Sequence, residues 1–381
     1  MSPTPVTFTS PTAPASYSWE ATNDEVAERY GVPIASIVRF DLNTSPTPPA
    51  LVERLLAAGR FEAPLSEYPP SDYRRLTEAA AARYGVGTDE LLVGAGADEI
   101  LDLVAKTFLG PSDTAILPAP TYAMYRVLTE QRGARAAAVP RLPARDGWAL
   151  DRPAVREAAR GARVVWLCSP NNPTAVAEPD GLVRALLDDL AEDAAASGRE
   201  APIVVLDEAY AEFVGTSLVG LRERYGGLIV VRTASKAYAL AGLRVGFAIA
   251  HPEVIARMNP YRPPGSVSTV SVTVVTEALL DPTILDANLA RVTGERARLS
   301  EGLTAAGWSI GPSVTNFLLA DFGRPERAAA TAEGLLRRGL VPRTFGAGHL
   351  LAGHLRVTVR DPHENDRLIA AAGEINREIE S

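Results

Sequence analysis

Apolar positions along the chain follow two periods that alternate. Residues 74–84 are alanine-rich with one apolar face and stop at Gly85, and residues 97–109 are amphipathic and stop at Gly110-Pro111. Both spacings predict helices. Residues 115–117 predict a short strand before Pro118. Residues 164–168 (VVWLC) are apolar at every position. That fits a strand buried on both faces, because a half-solvated strand would alternate. Residues 181–197 are helical again, and 203–206, 228–231 and 247–250 predict three more short buried strands.

Beyond His251 the pattern changes. Asn259-Pro-Tyr-Arg-Pro-Pro-Gly265 is too rich in proline for a core element. A long helix is expected over 282–306, then a strand over 316–320, a helix over 326–338, a strand over 354–359 and a terminal helix over 364–379. Alternating strands and helices predict an α/β fold with a mainly parallel sheet. The expected division is a large domain over 60–280 and a smaller α+β domain over 281–381, which the segment 17–59 joins. Residues 1–16 are rich in Pro, Ser and Thr and read as a disordered lead. They lack the basic start and apolar core of a secretory signal.

Composition narrows the function classes. A net charge of −8 argues against a nucleic-acid partner held by a basic surface. The single Cys168 excludes an intramolecular disulfide, and the four histidines show no paired ligand spacing, so no metal is expected. No apolar run reaches the roughly 20 residues of a membrane span. A cytoplasmic enzyme without a membrane partner is the expectation. The basic residues are uneven: 36 arginines stand against two lysines, Lys106 and Lys236. Arginine supplies charge but not a nucleophilic amine, because guanidinium stays protonated.

Four segments close a predicted strand or open a predicted helix, where open α/β sheets bind ligands. Gly94-Ala-Gly-Ala-Asp-Glu99 precedes a helix whose free N–H groups suit an anion. It lacks the third glycine of a dinucleotide fingerprint. Ser169-Pro-Asn-Asn-Pro-Thr174 follows VVWLC and projects amide donors from a fixed turn. Asp207-Glu-Ala-Tyr210 sets an acid at a buried strand end, which is costly without a cationic partner. Thr233-Ala-Ser-Lys-Ala-Tyr238 carries Lys236, with Arg244 eight positions on. An amine there, near an acid, a tyrosine and an anion-binding set, suits carbonyl chemistry. Lys106 lies instead on an amphipathic helix and reads as a solvated side chain.

With Pro120-Thr-Tyr-Ala-Met-Tyr125, these segments resemble the motifs of fold-type I pyridoxal phosphate aminotransferases, closest to the histidinol-phosphate aminotransferase family. The resemblance implies a mixed, seven-stranded-type sheet and pyridoxal 5'-phosphate as cofactor. It implies Lys236 as the amine that bonds the cofactor aldehyde, with Asp207 on the ring nitrogen. Tyr210 and Asn172 would hold the phenolic oxygen, and Tyr122 would stack on the ring. Ala97, Asp98, Thr233, Ser235 and Arg244 would hold the phosphate. Tyr68 resembles the tyrosine that reaches the phosphate in the partner subunit, which implies a homodimer. Arg356 resembles the arginine that forks onto the substrate carboxylate, and Arg343 a second arginine toward a distal anion; a solvated surface arginine is the other reading of Arg343. The stretch Asn43-Thr-Ser-Pro-Thr-Pro48 departs from the family pattern, Ala175 replaces its usual glycine, and the segment around Tyr261 to Ser266 is longer. The implied activity is amino transfer between a small amino donor and an oxo acceptor in amino-acid biosynthesis. A decarboxylase resembling threonine-phosphate decarboxylase, or an amino-acid-modifying relative, shares most of these motifs. Two lysines make the test simple. Lys106→Arg should leave turnover near wild type, and Lys236→Arg should abolish it in the same assay.

Overall fold

The computed structural model describes residues 16–380. All but the last residue of the expected disordered lead lies outside them. The strands are β1 (Val38–Arg39), β2 (Leu91–Gly94), β3 (Thr114–Ala119), β4 (Arg135–Pro140), β5 (Val164–Cys168), β6 (Ile203–Asp207), β7 (Leu228–Thr233), β8 (Gly246–Ala250), β9 (Ser309–Ile310), β10 (Phe317–Asp321), β11 (Leu340–Val341) and β12 (His354–Thr358). Seven form one sheet in the order β2-β8-β7-β6-β5-β3-β4. Only β8 runs against its neighbours, so the sheet is mixed and mainly parallel, as expected.

The continuous apolar strands are explained by two-sided burial. Val165 and Leu167 of β5 enter one core, and Val164, Trp166 and Cys168 enter the other. Strands β6, β7 and β8 divide in the same way. The helices Arg74–Tyr84, Leu182–Ser197 and Thr269–Leu280 cover the first face; Gly96–Phe108, Met124–Gln131 and Pro252–Met258 cover the second. Each fully buried Val or Leu contributes roughly 1.5–3 kcal/mol. The strand interiors are therefore committed to packing, and polar chemistry is left to the strand ends.

Elsewhere, β10 lies between β9 and β12 in a three-stranded antiparallel sheet, and β1 pairs with β11 in parallel. A third core gathers Val38 and Phe40 with Leu299, Leu318, Leu355 and Leu368. The C-terminal helices fall within a few residues of expectation, at Pro282–Ala305, Pro325–Leu336 and Pro362–Glu380.

Several elements differ from the sequence reading, three of them instructively. β3 continues through Pro118, because its pairing with β5 ends at Ile116 and no ladder bond there needs the missing N–H. The alanine-rich β4 gives no strand signal of its own, and forms at the sheet edge by pairing with β3. Thr269–Leu280 is rich in Thr and Val, yet it is helical. Burial against the sheet outweighs weak propensity, and the Thr273 and Thr276 hydroxyls donate to the carbonyls of Thr269 and Val272 one turn back.

One close approach positions the site. At Gly246, a Cβ would lie 2.4 Å from the Gly96 carbonyl carbon and 2.5 Å from the Ala97 nitrogen. The helix Gly96–Phe108 can start against β8 only because that side chain is absent. Gly246→Ala should lower stability by about 1–3 kcal/mol through overpacking, read as a fall in the denaturant midpoint.

Candidate active site

The carboxyl ends of β5, β6 and β7 and the amino end of β8 face one way and open into a cavity of about 410 Å³. In register, Cys168 stands beside Asp207, and Asp207 beside Val231. The turns leaving these strands are thereby brought to a common edge. Ala97 and Asp98 also line the cavity. The first N–H groups of their helix have no intrahelical acceptor and point positive charge at it. Arg244 adopts a left-handed backbone, and its guanidinium covers Gly96. Its Nη2 lies 3.3 Å from the Asp98 carboxylate. The Thr233 hydroxyl donates to the Val245 carbonyl at 3.0 Å and lies 2.9 Å from the Ser235 hydroxyl. With Ala97, Asp98 and Arg244, these residues share the cavity lining and supply the groups that could cradle an anion.

The acid and the amine line the same cavity. Asp207 is 4% exposed. Its Oδ1 accepts from the Ala209 N–H at 3.0 Å and its Oδ2 from the Tyr125 hydroxyl at 2.8 Å. Burial pushes its pKa up to about 6, against the pull of those donors and of Lys236. The Lys236 ammonium donates to the carbonyls of Asn43 at 3.3 Å and Leu42 at 3.4 Å. Burial, and then the positive charge of Arg356, push its pKa down to about 8. A fraction of the amine is therefore neutral near pH 7, as attack on an aldehyde requires.

The remaining expected residues divide. Tyr210 lines the cavity, packs edge-on to Phe317 and accepts at its hydroxyl from Asn43 Nδ2 at 3.0 Å. Asn172 also lines the cavity, and its Oδ1 accepts from Arg356 at 2.6 Å, which leaves its Nδ2 group for a ligand. Arg356 is 6% exposed, donates also to the Asp41 carbonyl, and has a buried Nε without a partner. Tyr122 lines the cavity with its hydroxyl donating to Asp98 at 2.9 Å. Arg343 is paired with Arg356 through the backbone but does not line the cavity. Its side chain donates to the Ser18 carbonyl at 2.6 Å, lies 3.5 Å from Glu20 and sits over the Tyr17 ring. It is thus not a freely solvated arginine. Tyr68 does not line the cavity; it is 89% exposed and packs beside Gly265. Lys106 lies far from this chemistry, ion-paired to Asp102 at 2.6 Å one helical turn away.

The sequence reading passed over four contributors. Tyr125 follows Tyr122 at helical spacing, and that spacing was its only signal. Asn43 appeared only within a divergent stretch, yet it is buried with a left-handed backbone and meets Lys236, Tyr210 and Thr358. Tyr17 and Trp19 line the cavity and pack edge to face on each other. In the double asparagine, Asn171 is internal: it donates to Pro120 and Thr174 and accepts from Thr121.

The donor set fits pyridoxal 5'-phosphate. An amine, a carboxylate for a ring nitrogen, hydroxyl and amide groups for a phenolic oxygen and a cradle for a phosphate share one cavity. The amine's state is testable without any ligand. Modification of Lys236 by an amine-directed reagent, followed by peptide mass spectrometry, should rise with pH around a midpoint near 8, because only the deprotonated amine reacts.

A family model, "Aminotransferase class I and II", matches residues 37–371. The histidinol-phosphate aminotransferase of Symbiobacterium thermophilum is 37% identical over 88% of this chain and 89% of its own. That of Roseiflexus castenholzii is 35% identical over 92% of this chain and 93% of its own. Among solved structures, the Sinorhizobium meliloti histidinol-phosphate aminotransferase, in complex with pyridoxal-5'-phosphate, shares the fold with a TM-score of 0.83 at 23% identity, covering 95% of this chain and 96% of that one. With the matched model spanning most of its length, the chain belongs to the class I and II aminotransferases.

Proposed function

We propose that the chain is a pyridoxal phosphate-dependent transaminase of the histidinol-phosphate aminotransferase type. The observation that carries this is the amine of Lys236, held partly neutral, in one cavity with Asp207, an anion cradle and the buried fork of Arg356. When bound, the cofactor supplies an electron sink for the electrons of the donor's Cα–H bond. Lys236 would hold the cofactor through its aldehyde carbon, and its amine, when free, would carry the proton at the donor's Cα. Asp207 keeps the ring nitrogen protonated. Tyr210 and Asn172 would hold the phenolic oxygen, and Tyr122 would stack on the ring. Ala97, Asp98, Thr233, Ser235 and Arg244 hold the phosphate.

Arg356 takes the carboxylate of the oxo acid, and its unpartnered Nε supports that role. Arg343 would meet a distal phosphate, for which Glu20 competes. Tyr68, exposed in one protomer, would reach the second site of a homodimer. The same reading takes 60–280 as the large domain and 281–381 with 17–59 as the small one, and sets the enzyme in the cytoplasm. Among the described residues no helix is long and apolar enough to cross a membrane, and no cluster of potential metal ligands occurs.

A single-turnover panel tests this, with histidinol phosphate, threonine phosphate, aromatic amino acids, Glu and Arg as donors. Histidinol phosphate should yield its oxo product without carbon dioxide. Carbon dioxide from threonine phosphate would overturn the transaminase assignment. An inert histidinol phosphate beside a reactive free amino acid would overturn the donor assignment alone.

A further inference from the structure

Asp207 is served by one side-chain donor that the proposed chemistry does not use. The Tyr125 hydroxyl donates to Oδ2 at 2.8 Å. Tyr125 is fully buried and is not part of the cavity lining. Its position is nevertheless tightly determined. Its ring stacks on Trp166 at 5.4 Å with the planes 6° apart. The indole N–H of Trp166 donates to the Thr129 hydroxyl at 3.1 Å, which donates in turn to the Tyr125 carbonyl at 2.7 Å. Trp166 stands in β5 beside β6, so the sheet itself sets where the phenol points.

We propose that Tyr125 is a positioning residue that keeps the proton of the cofactor's ring nitrogen on the ring. Asp207 and the ring nitrogen compete for one proton. A carboxylate that already accepts a hydrogen bond is a weaker base, so its ring partner stays protonated. Without the phenol, Asp207 becomes more basic and draws the proton toward itself. A neutral ring is a poorer electron sink, so the proton at the donor's Cα becomes harder to remove. The other charged or titratable groups around Asp207 are Lys236, Asp98, Cys168 and Tyr210. Burial drives the Tyr125 phenol well above its ordinary pKa and pushes the Cys168 thiol up to about 12. Both therefore remain protonated across the working range, and Tyr125 is a permanent donor.

The inference rests on the cofactor reading but needs no particular substrate. The experiment loads wild type, Tyr125→Phe and a variant with fluorotyrosine at position 125 with cofactor labelled at the ring nitrogen, and records the nitrogen resonance. Tyr125→Phe should move it toward the unprotonated ring and raise the pH midpoint of the bound cofactor's visible band by about one unit, the scale of one lost hydrogen bond. kcat should fall about tenfold with KM little changed. Fluorotyrosine, a stronger donor, should move the resonance and the midpoint the opposite way. A merely structural role would give both variants the same sign, or lower the melting temperature while the resonance stays put. Either result overturns the proposal. If Tyr125→Phe takes up no cofactor, the fluorotyrosine shift decides alone. A wild-type protein that takes up none overturns the cofactor reading together with this one.

Discussion

Everything in the site is arranged around one buried carboxylate. β6 is apolar until its last residue, Asp207, and both faces of the sheet are covered there. An ion in that setting costs several kcal/mol unless it is partnered. The partners are a backbone N–H, a phenol and the charge of Lys236, and they compensate only in part, so the pKa stays raised at about 6. Ionisation costs the fold stability that begins to disappear above the ordinary carboxyl value and is lost in full above about 6. The protein retains an ionised acid at neutral pH at the expense of its own stability, as groups held ready for a ligand often require.

The second constraint is that the cavity is shared between distant parts of the chain. Asn43 joins them. Its amide meets Tyr210, its carbonyl accepts from Lys236 and from Asn316, and its N–H donates to Thr358. Arg356, two residues before Thr358, reaches across to Asn172 at the end of β5. The residue beside the acid works on the structure instead. Glu208 accepts from Arg232, Ser217 and the Leu218 N–H, and Arg232 also pairs with Glu212. Such buried pairs add little net stability, but they fix the turn that carries Asp207 and Tyr210.

Legibility in the sequence followed locality. VVWLC and its sister strands were evident because two-sided burial leaves an uninterrupted apolar run. Lys236 was evident because a scarce residue type stood at a strand end, and the neighbouring motifs supplied its context. β4 and the helix Thr269–Leu280 were not evident, since pairing with β3 and packing on the sheet outweigh what their own residues prefer. Asn171 and Asn172 are the same residue type one position apart, and only the direction each side chain takes separates an internal brace from a cavity donor.

By itself the sequence determined the order of the elements, the apolar strand interiors and the inventory of reactive groups. Each depends on residue type and near neighbours along the chain. The tertiary structure decided the rest. It brought Asn43 within reach of Lys236 across 193 residues, turned Tyr125 onto Asp207 rather than into a core contact alone, and tied Arg343 to Glu20 rather than to solvent. It also set the protonation of the two central groups, because burial and the charge of residues remote in sequence move a pKa, and neither can be read from the residues that flank it.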